Sequence, residues 1–77
     1  MNQEYSVTTQ RTKFYDGDYQ EYTQCYEYST WEDALKKYED EVREQSYHIS
    51  TLNNVKVDLV IKMARKERVQ YRVKISN

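Results

Sequence analysis

The last third of the chain, residues 55–75, constrains the fold most strongly because its apolar residues alternate with polar ones in two runs. The first run has an apolar residue at every second position from Val55 to Met63, and the second does so from Val69 to Ile75. Alternation with a period of two is typical of a β-strand with one buried face. The polar break at 65–67 therefore predicts that the two runs form a β-hairpin.

The apolar positions also predict how the two strands of this hairpin pair. With Ala64 opposite Arg68 across a three-residue loop, the apolar partners are Met63 with Val69, Ile61 with Tyr71, Leu59 with Val73, and Val57 with Ile75. A slip of one residue would turn the apolar side chains of one strand to water, which favours this register.

A second hairpin is predicted near the start of the chain, around Asp16-Gly17. Both central positions of a type I′ turn need a positive φ, and this dipeptide is a strong signal for such a turn. The strands are then 4–15 and 19–28, with Tyr15 opposite Asp18. The predicted core-facing side of this hairpin carries Val7 and the tyrosines at positions 5, 22, 26 and 28, and the opposite side, which includes Cys25, faces water.

The segment between the hairpins predicts one amphipathic helix. Ser29 at the N-cap and Glu32 three residues later match a capping box. The apolar residues that follow are spaced for one helical face, namely Trp31, Ala34, Leu35, Tyr38 and Val42. Three ion pairs between residues four apart are available, Glu32 with Lys36, Asp33 with Lys37, and Glu39 with Arg43. This leaves Asp40, Glu41 and Glu44 without a partner.

The predicted order is ββαββ in a single domain, with a hairpin over 4–28, a helix over 30–46 and a hairpin over 55–75. The fold class is α+β: a four-stranded, mainly antiparallel sheet with the helix packed on one face. The order of the strands in the sheet does not follow from the pattern.

No catalytic residue, cofactor site or metal site is predicted. His48 is the single histidine and Cys25 the single cysteine, and neither has a partner of the kind that general-base or thiolate chemistry needs. Ser46, Ser50 and Thr51 lie near His48 without the glycines of a nucleophile elbow. The acidic residues around Asp16-Gly17 do not follow the twelve-residue calcium-loop pattern.

The chain carries no apolar run near 18 residues and no basic-plus-apolar leader. These features predict neither membrane spanning nor secretion, and we expect a cytoplasmic protein.

The formal net charge of −1 hides an acidic half and a basic half. Residues 16–45 contain ten acidic and three basic residues, whereas residues 46–77 contain two acidic and seven basic residues. Two charged surfaces follow from this division. The acidic and aromatic set is Tyr15, Asp16, Asp18, Tyr19, Glu21, Asp40, Glu41 and Glu44. The basic set is Lys62, Arg65, Lys66, Arg68, Arg72 and Lys74.

The sequence Tyr15-Asp16-Gly17-Asp18-Tyr19-Gln20-Glu21-Tyr22, followed by Tyr26-Glu27-Tyr28 and a helix, resembles the corresponding stretch of phage inhibitors of uracil-DNA glycosylase. The small size and the acidic hairpin are also similar to those of small anti-CRISPR proteins. The resemblance implies a phage-encoded inhibitor in the cytoplasm of a bacterial host, where an acidic surface acts as a DNA mimic. The basic second hairpin departs from that pattern.

Three functions are compatible with the sequence. The first is a non-enzymatic protein-binding module that inhibits a nucleic-acid-handling host protein through the acidic and aromatic set. The second is a nucleic-acid-binding protein that uses the basic set. The third is a small structural protein that associates with itself, for instance as a homodimer, through an open sheet face or an edge strand.

Overall fold

The computed structural model describes residues 4–47 and 54–76. Its elements are β1 (Glu4–Tyr15), β2 (Asp18–Tyr28), α1 (Trp31–Tyr47), β3 (Asn54–Lys62) and β4 (Glu67–Ser76). The four strands form one antiparallel sheet in the order β2-β1-β3-β4, and α1 packs on one face of it. The predicted ββαββ order and the α+β class are confirmed.

The first hairpin has the predicted register throughout, from Tyr15 opposite Asp18 to Tyr5 opposite Tyr28. Asp16 has a φ of 51° and Gly17 a φ of 81°. These are the two positive values that a type I′ turn requires, and a glycine adopts its value without strain. A two-residue loop leaves no freedom in the pairing, so the turn chemistry alone determined the register.

The second hairpin forms, but its predicted register is wrong by two residues. Leu59 pairs with Tyr71 instead of Val73. The reason is the loop, which spans residues 63–66 between the paired Lys62 and Glu67 instead of residues 65–67. This shifts the pairs next to the loop by three residues, and a bulge on β4 reduces the shift to two for the rest of the hairpin. The Met63 N–H donates to the Lys66 carbonyl at 2.8 Å within this loop. A shift of two preserves the faces, so Leu59 and Val73 still point toward the helix.

A β-bulge on β4 changes the facing of the residues nearest this loop. Leu59 pairs with Tyr71, but the next residue, Val60, pairs with Val69, so Gln70 is an extra residue on β4. Val69 therefore lies beside Val60 on the face opposite the helix and is 43% exposed. Val69 and the exposed Met63 do not join the core, contrary to the prediction.

The helix begins one residue later than the capping box predicted. Thr30, not Ser29, is the N-cap, because its side-chain oxygen accepts a hydrogen bond from the Asp33 N–H at 3.3 Å and its carbonyl accepts one from the Ala34 N–H at 3.2 Å. Within the part of the chain that the structure describes, no helix is long and apolar enough to cross a membrane.

The core lies between α1 and the two central strands. Its buried members are Val7, Ala34, Tyr38, Val55, Val57 and Leu59. An aromatic group closes one side of it, since the ring centroid of Trp31 lies 5.7 Å from that of Tyr5 and 6.0 Å from that of Tyr71. Tyr5 and Tyr28 pack against this core as predicted. Tyr22 does not: it is 52% exposed because α1 covers the central strands more fully than the outer part of β2.

Candidate functional site

The first hairpin extends beyond the rest of the sheet. Pairing between β1 and β3 ends at Thr12 opposite Asn54, whereas pairing between β1 and β2 continues to the turn. Residues 13–20 therefore form a two-stranded projection, which we call the hairpin arm. The molecule is correspondingly elongated, measuring 47 × 24 × 15 Å. The arm ends in exposed Asp16 and Asp18.

Strand β2 continues this arm along one edge of the sheet and carries large exposed tyrosines beside acidic groups. Tyr19 is 62% exposed and Tyr22 is 52% exposed, and Glu21 between them is exposed as well. Alternation along the strand sends Tyr22 to the face that holds α1, the helix-side face, and sends Tyr19 and Glu21 to the opposite, open face. The side chain of Tyr15 lies outside the described part of the chain.

The helix-side face of β2 is held by local polar contacts. The hydroxyl of Tyr22 donates to Gln20 Oε1 at 2.8 Å, and that of Tyr26 donates to Gln24 Oε1 at 3.3 Å. The Lys37 ammonium of α1 lies 4.1 Å from the ring centroid of Tyr26, within the range of a cation–π contact. These contacts limit the freedom of exposed Tyr22 and half-buried Tyr26, which reduces the entropy that a partner would have to remove on binding.

The helix contributes less to an acidic surface than the sequence predicted. Glu41 is only 3% exposed and lies 3.9 Å from the Lys37 ammonium, so its assignment to the surface is wrong. The reason is its helical position, since residues 34, 38, 41 and 45 form the buried face of α1. Asp40 pairs with Arg43 at 3.8 Å, which differs from the predicted pairing of Arg43 with Glu39. Lys37 likewise pairs with Glu41 instead of Asp33.

Exposed Glu44 remains on the surface and helps to form an open depression of about 450 Å³. This depression is lined by Lys37, Asp40, Arg43, Glu44 and Tyr47. Because its two cations balance its two carboxylates, the acidic character of the site lies mainly on the hairpin arm and β2.

The predicted basic set does not form one surface. Register places Arg68 beside Ile61 on the helix-side face, and Lys74 beside Lys56 on the open face. Arg72 is held by buried Asp58, through Nε to Oδ1 at 2.8 Å and Nη2 to Oδ2 at 3.1 Å. These hydrogen bonds raise the pKa of Arg72. Arg65 and Lys66 lie exposed in the loop between β3 and β4.

An ion pair crosses the open face between β3 and β2. The Lys62 ammonium donates to Glu27 Oε1 at 2.5 Å. This hydrogen bond lowers the pKa of Glu27 and raises the pKa of Lys62. Because of this pair, Lys62 does not act as a free cation of the predicted basic set. The other acidic residue on the open face of β2 is Glu21, which has no ion pair of this kind with the described residues.

The described residues hold no group of three or more His, Cys, Asp or Glu side chains placed to bind a metal ion. Cys25 is exposed on the open face, and its sulfur accepts a hydrogen bond from the Thr8 hydroxyl at 3.7 Å. His48, Ser50 and Thr51 lie outside the described residues, and Ser46 donates its hydroxyl to the Val42 carbonyl at 2.7 Å.

The edge position of β2 was missed by the sequence interpretation, which also placed Tyr22 in the core. The composition of the strand gave no signal of it. Residues 18–28 contain no lysine, arginine or proline, which commonly protect the edge of a sheet from pairing, so the sequence did not mark this strand as an edge.

Comparison of the chain with protein-family models, with curated proteins and with solved structures gave no match.

Proposed function

We propose that this chain is a non-enzymatic protein-binding module whose contact is the hairpin arm together with β2. The observation that carries the proposal is the exposure of Tyr19 beside Asp16 and Asp18 on the projecting arm, and of Tyr22 beside Glu21 on the edge strand that continues the arm. We propose further that the module inhibits a nucleic-acid-handling host protein, as the resemblance to phage inhibitors implies.

The chemistry of the surface favours a protein with a basic face as the partner. Tyrosine is enriched in protein interfaces because it buries a large apolar ring and keeps a polar tip. Carboxylates that flank such rings steer a positively charged partner and select against a negatively charged one. A nucleic acid carries the same sign of charge as this surface and would be repelled by it, so the acidic and aromatic set does not suit it.

Charge reversal tests this proposal. The protein, immobilised on beads, is used to capture bacterial proteins, and the amount of each captured protein is compared between wild type and the double variant Asp18→Lys/Glu21→Lys. We expect the variant to lose at least about tenfold of the specific partner, because a reversed charge repels a basic surface and lost complementarity costs more than about 1.4 kcal/mol.

The matched control is Glu39→Lys/Glu67→Lys, which changes the net charge equally at two exposed sites outside the arm. It should retain the partner, and both variants should keep the melting curve of the wild type. Equal capture by the wild type and both variants, or equal loss from both variants, would contradict a contact at the arm.

A further inference from the structure

The two edges of the sheet are built differently. Edge strand β4 has a bulge at Gln70 and carries Arg68, Arg72 and Lys74, and both a bulge and cationic side chains discourage pairing with another strand. Edge strand β2 has neither device. It forms eleven consecutive pairs with β1 without interruption, and it carries no basic residue.

The hairpin turn determines which backbone groups of β2 point away from the sheet. A two-residue turn is closed by a hydrogen-bonded pair, here Tyr15 and Asp18, and hydrogen-bonded pairs then alternate along the ladder. Even-numbered residues of β2 thus bond to β1. The N–H and carbonyl groups that point outward belong to Tyr19, Glu21, Thr23, Cys25 and Glu27. Among the described residues, no strand pairs with β2 on that side.

The charges of β2 determine what kind of strand fits this edge. Its ionisable carboxylates are Asp18, Glu21 and Glu27, without a lysine or arginine in the strand. A second copy of β2 would bring the same carboxylates against them, which is unfavourable for neighbouring strands. An extended segment with lysine or arginine opposite Glu21 would instead form a cross-strand ion pair.

We propose that β2 binds its partner by strand addition, in which an extended, lysine- or arginine-bearing segment of another protein pairs with the outward backbone groups of β2. The inference rests on the proposed function, since it specifies how the hairpin arm and β2 would hold a basic partner. The outward N–H and carbonyl groups supply main-chain hydrogen bonds, and side chains at alternate positions supply selectivity.

Both faces of β2 would contribute to this selectivity. On the open face, Glu21 would lie beside a cation of the added strand. On the helix-side face, Tyr22 and Tyr26 present rings that an aliphatic side chain of the added strand can cover. Because the added strand would lie about 4.8 Å from β2, these side chains are within contact distance without any movement of the sheet.

The test uses a capped peptide of about nine residues that alternates threonine and valine, a length suited to one strand. Two lysines replace threonines six residues apart, which is the spacing of Glu21 and Glu27. A control peptide has glutamates at those two positions. Binding is measured by titration of isotope-labelled protein followed by amide NMR, and we expect the amides of Glu21, Thr23 and Cys25 to shift and to become protected from exchange with the lysine peptide only.

The matched variants are Thr23→Pro and Thr23→Val. Proline removes an outward N–H and should be tolerated, because that N–H takes no part in the ladder with β1. Valine removes the hydroxyl and retains the N–H. We expect Thr23→Pro to weaken binding at least about tenfold relative to Thr23→Val. If Thr23→Pro does not fold, the wild-type protein tests the same hydrogen bond, because the Thr23 amide should become protected from exchange when the lysine peptide binds.

Equal binding by the two variants, or equal binding of the lysine and glutamate peptides, would overturn strand addition. So would a dimer of the free protein that Thr23→Pro converts to monomer, because the occupant would then be a second copy. One pair of results would separate the two proposals. If Asp18→Lys/Glu21→Lys loses binding of the lysine peptide but the two Thr23 variants bind it equally, strand addition is refuted and the proposed acidic contact is retained.

Discussion

Whether a charged side chain of this small protein is buried or exposed depends on its position in the fold more than on its charge. Asp58 is 6% exposed and accepts two hydrogen bonds from Arg72, while Glu41 is 3% exposed on the buried face of α1. Sequence periodicity could have placed Glu41 there, since it lies three residues after buried Tyr38. The charge of Glu41 suggested a surface position, and the helical spacing prevailed because the last turns of α1 also pack on the sheet.

The ion pair of Glu27 and Lys62 gives a prediction for acid stability. The folded pKa of Glu27 lies below its ordinary value, so the contribution of the pair is present above that value and is lost as the pH falls through the folded pKa. We expect Glu27→Gln to lose less stability than the wild type between about pH 5 and pH 3, measured as the urea midpoint. The difference should be small because the pair is exposed.

Lys62→Met provides the control for this measurement, because it removes the same pair from the other strand. It should flatten the acid dependence as much as Glu27→Gln does, and the double variant should add no further change. Additive effects of the two substitutions would show that the pair is not the cause.

A local element could be predicted from the sequence where the residues of a turn permit a single conformation. Asp16-Gly17 allowed one turn and therefore one register for the first hairpin. The second hairpin had a longer loop, 63–66, and a bulge at Gln70, and no residue type in that loop demanded a particular φ. The faces of β3 and of residues 71–75 were predictable because they depend on alternation alone, whereas their partners were not, because a shift of two residues leaves those faces unchanged. The bulge reversed the faces of Arg68 and Val69, which alternation alone did not predict.

The start of α1 gives a prediction that separates two adjacent candidates for the cap. Thr30→Ala should reduce the free energy of unfolding by about 1 kcal/mol, because the Asp33 N–H loses its acceptor. Ser29→Ala should have a much smaller effect, since the N-cap is the following residue. Chemical denaturation followed by circular dichroism measures both. A larger loss for Ser29→Ala would place the cap where the sequence pattern first suggested it.

For the molecule as a whole, strand order decides where the two charged halves of the chain lie. Strands β1 and β3 pair in the centre, which moves acidic β2 and basic β4 to opposite edges. Contacts between β1 and β3 join residues some 50 positions apart, for example Tyr5 and Ile61. No turn or cap in the sequence specifies such a pairing. The charge asymmetry was therefore predictable, but the exposed acidic edge that follows from it was not.

Amide hydrogen exchange of the free protein tests most directly whether β2 is an open edge. We predict slow exchange at Gln20, Tyr22, Gln24 and Tyr26, whose N–H groups bond to β1, and fast exchange at Glu21, Thr23 and Cys25, whose N–H groups point to solvent. This alternation should persist at every protein concentration. Slow exchange at all seven amides would show that another strand already covers the edge, and it would contradict the account given for this surface.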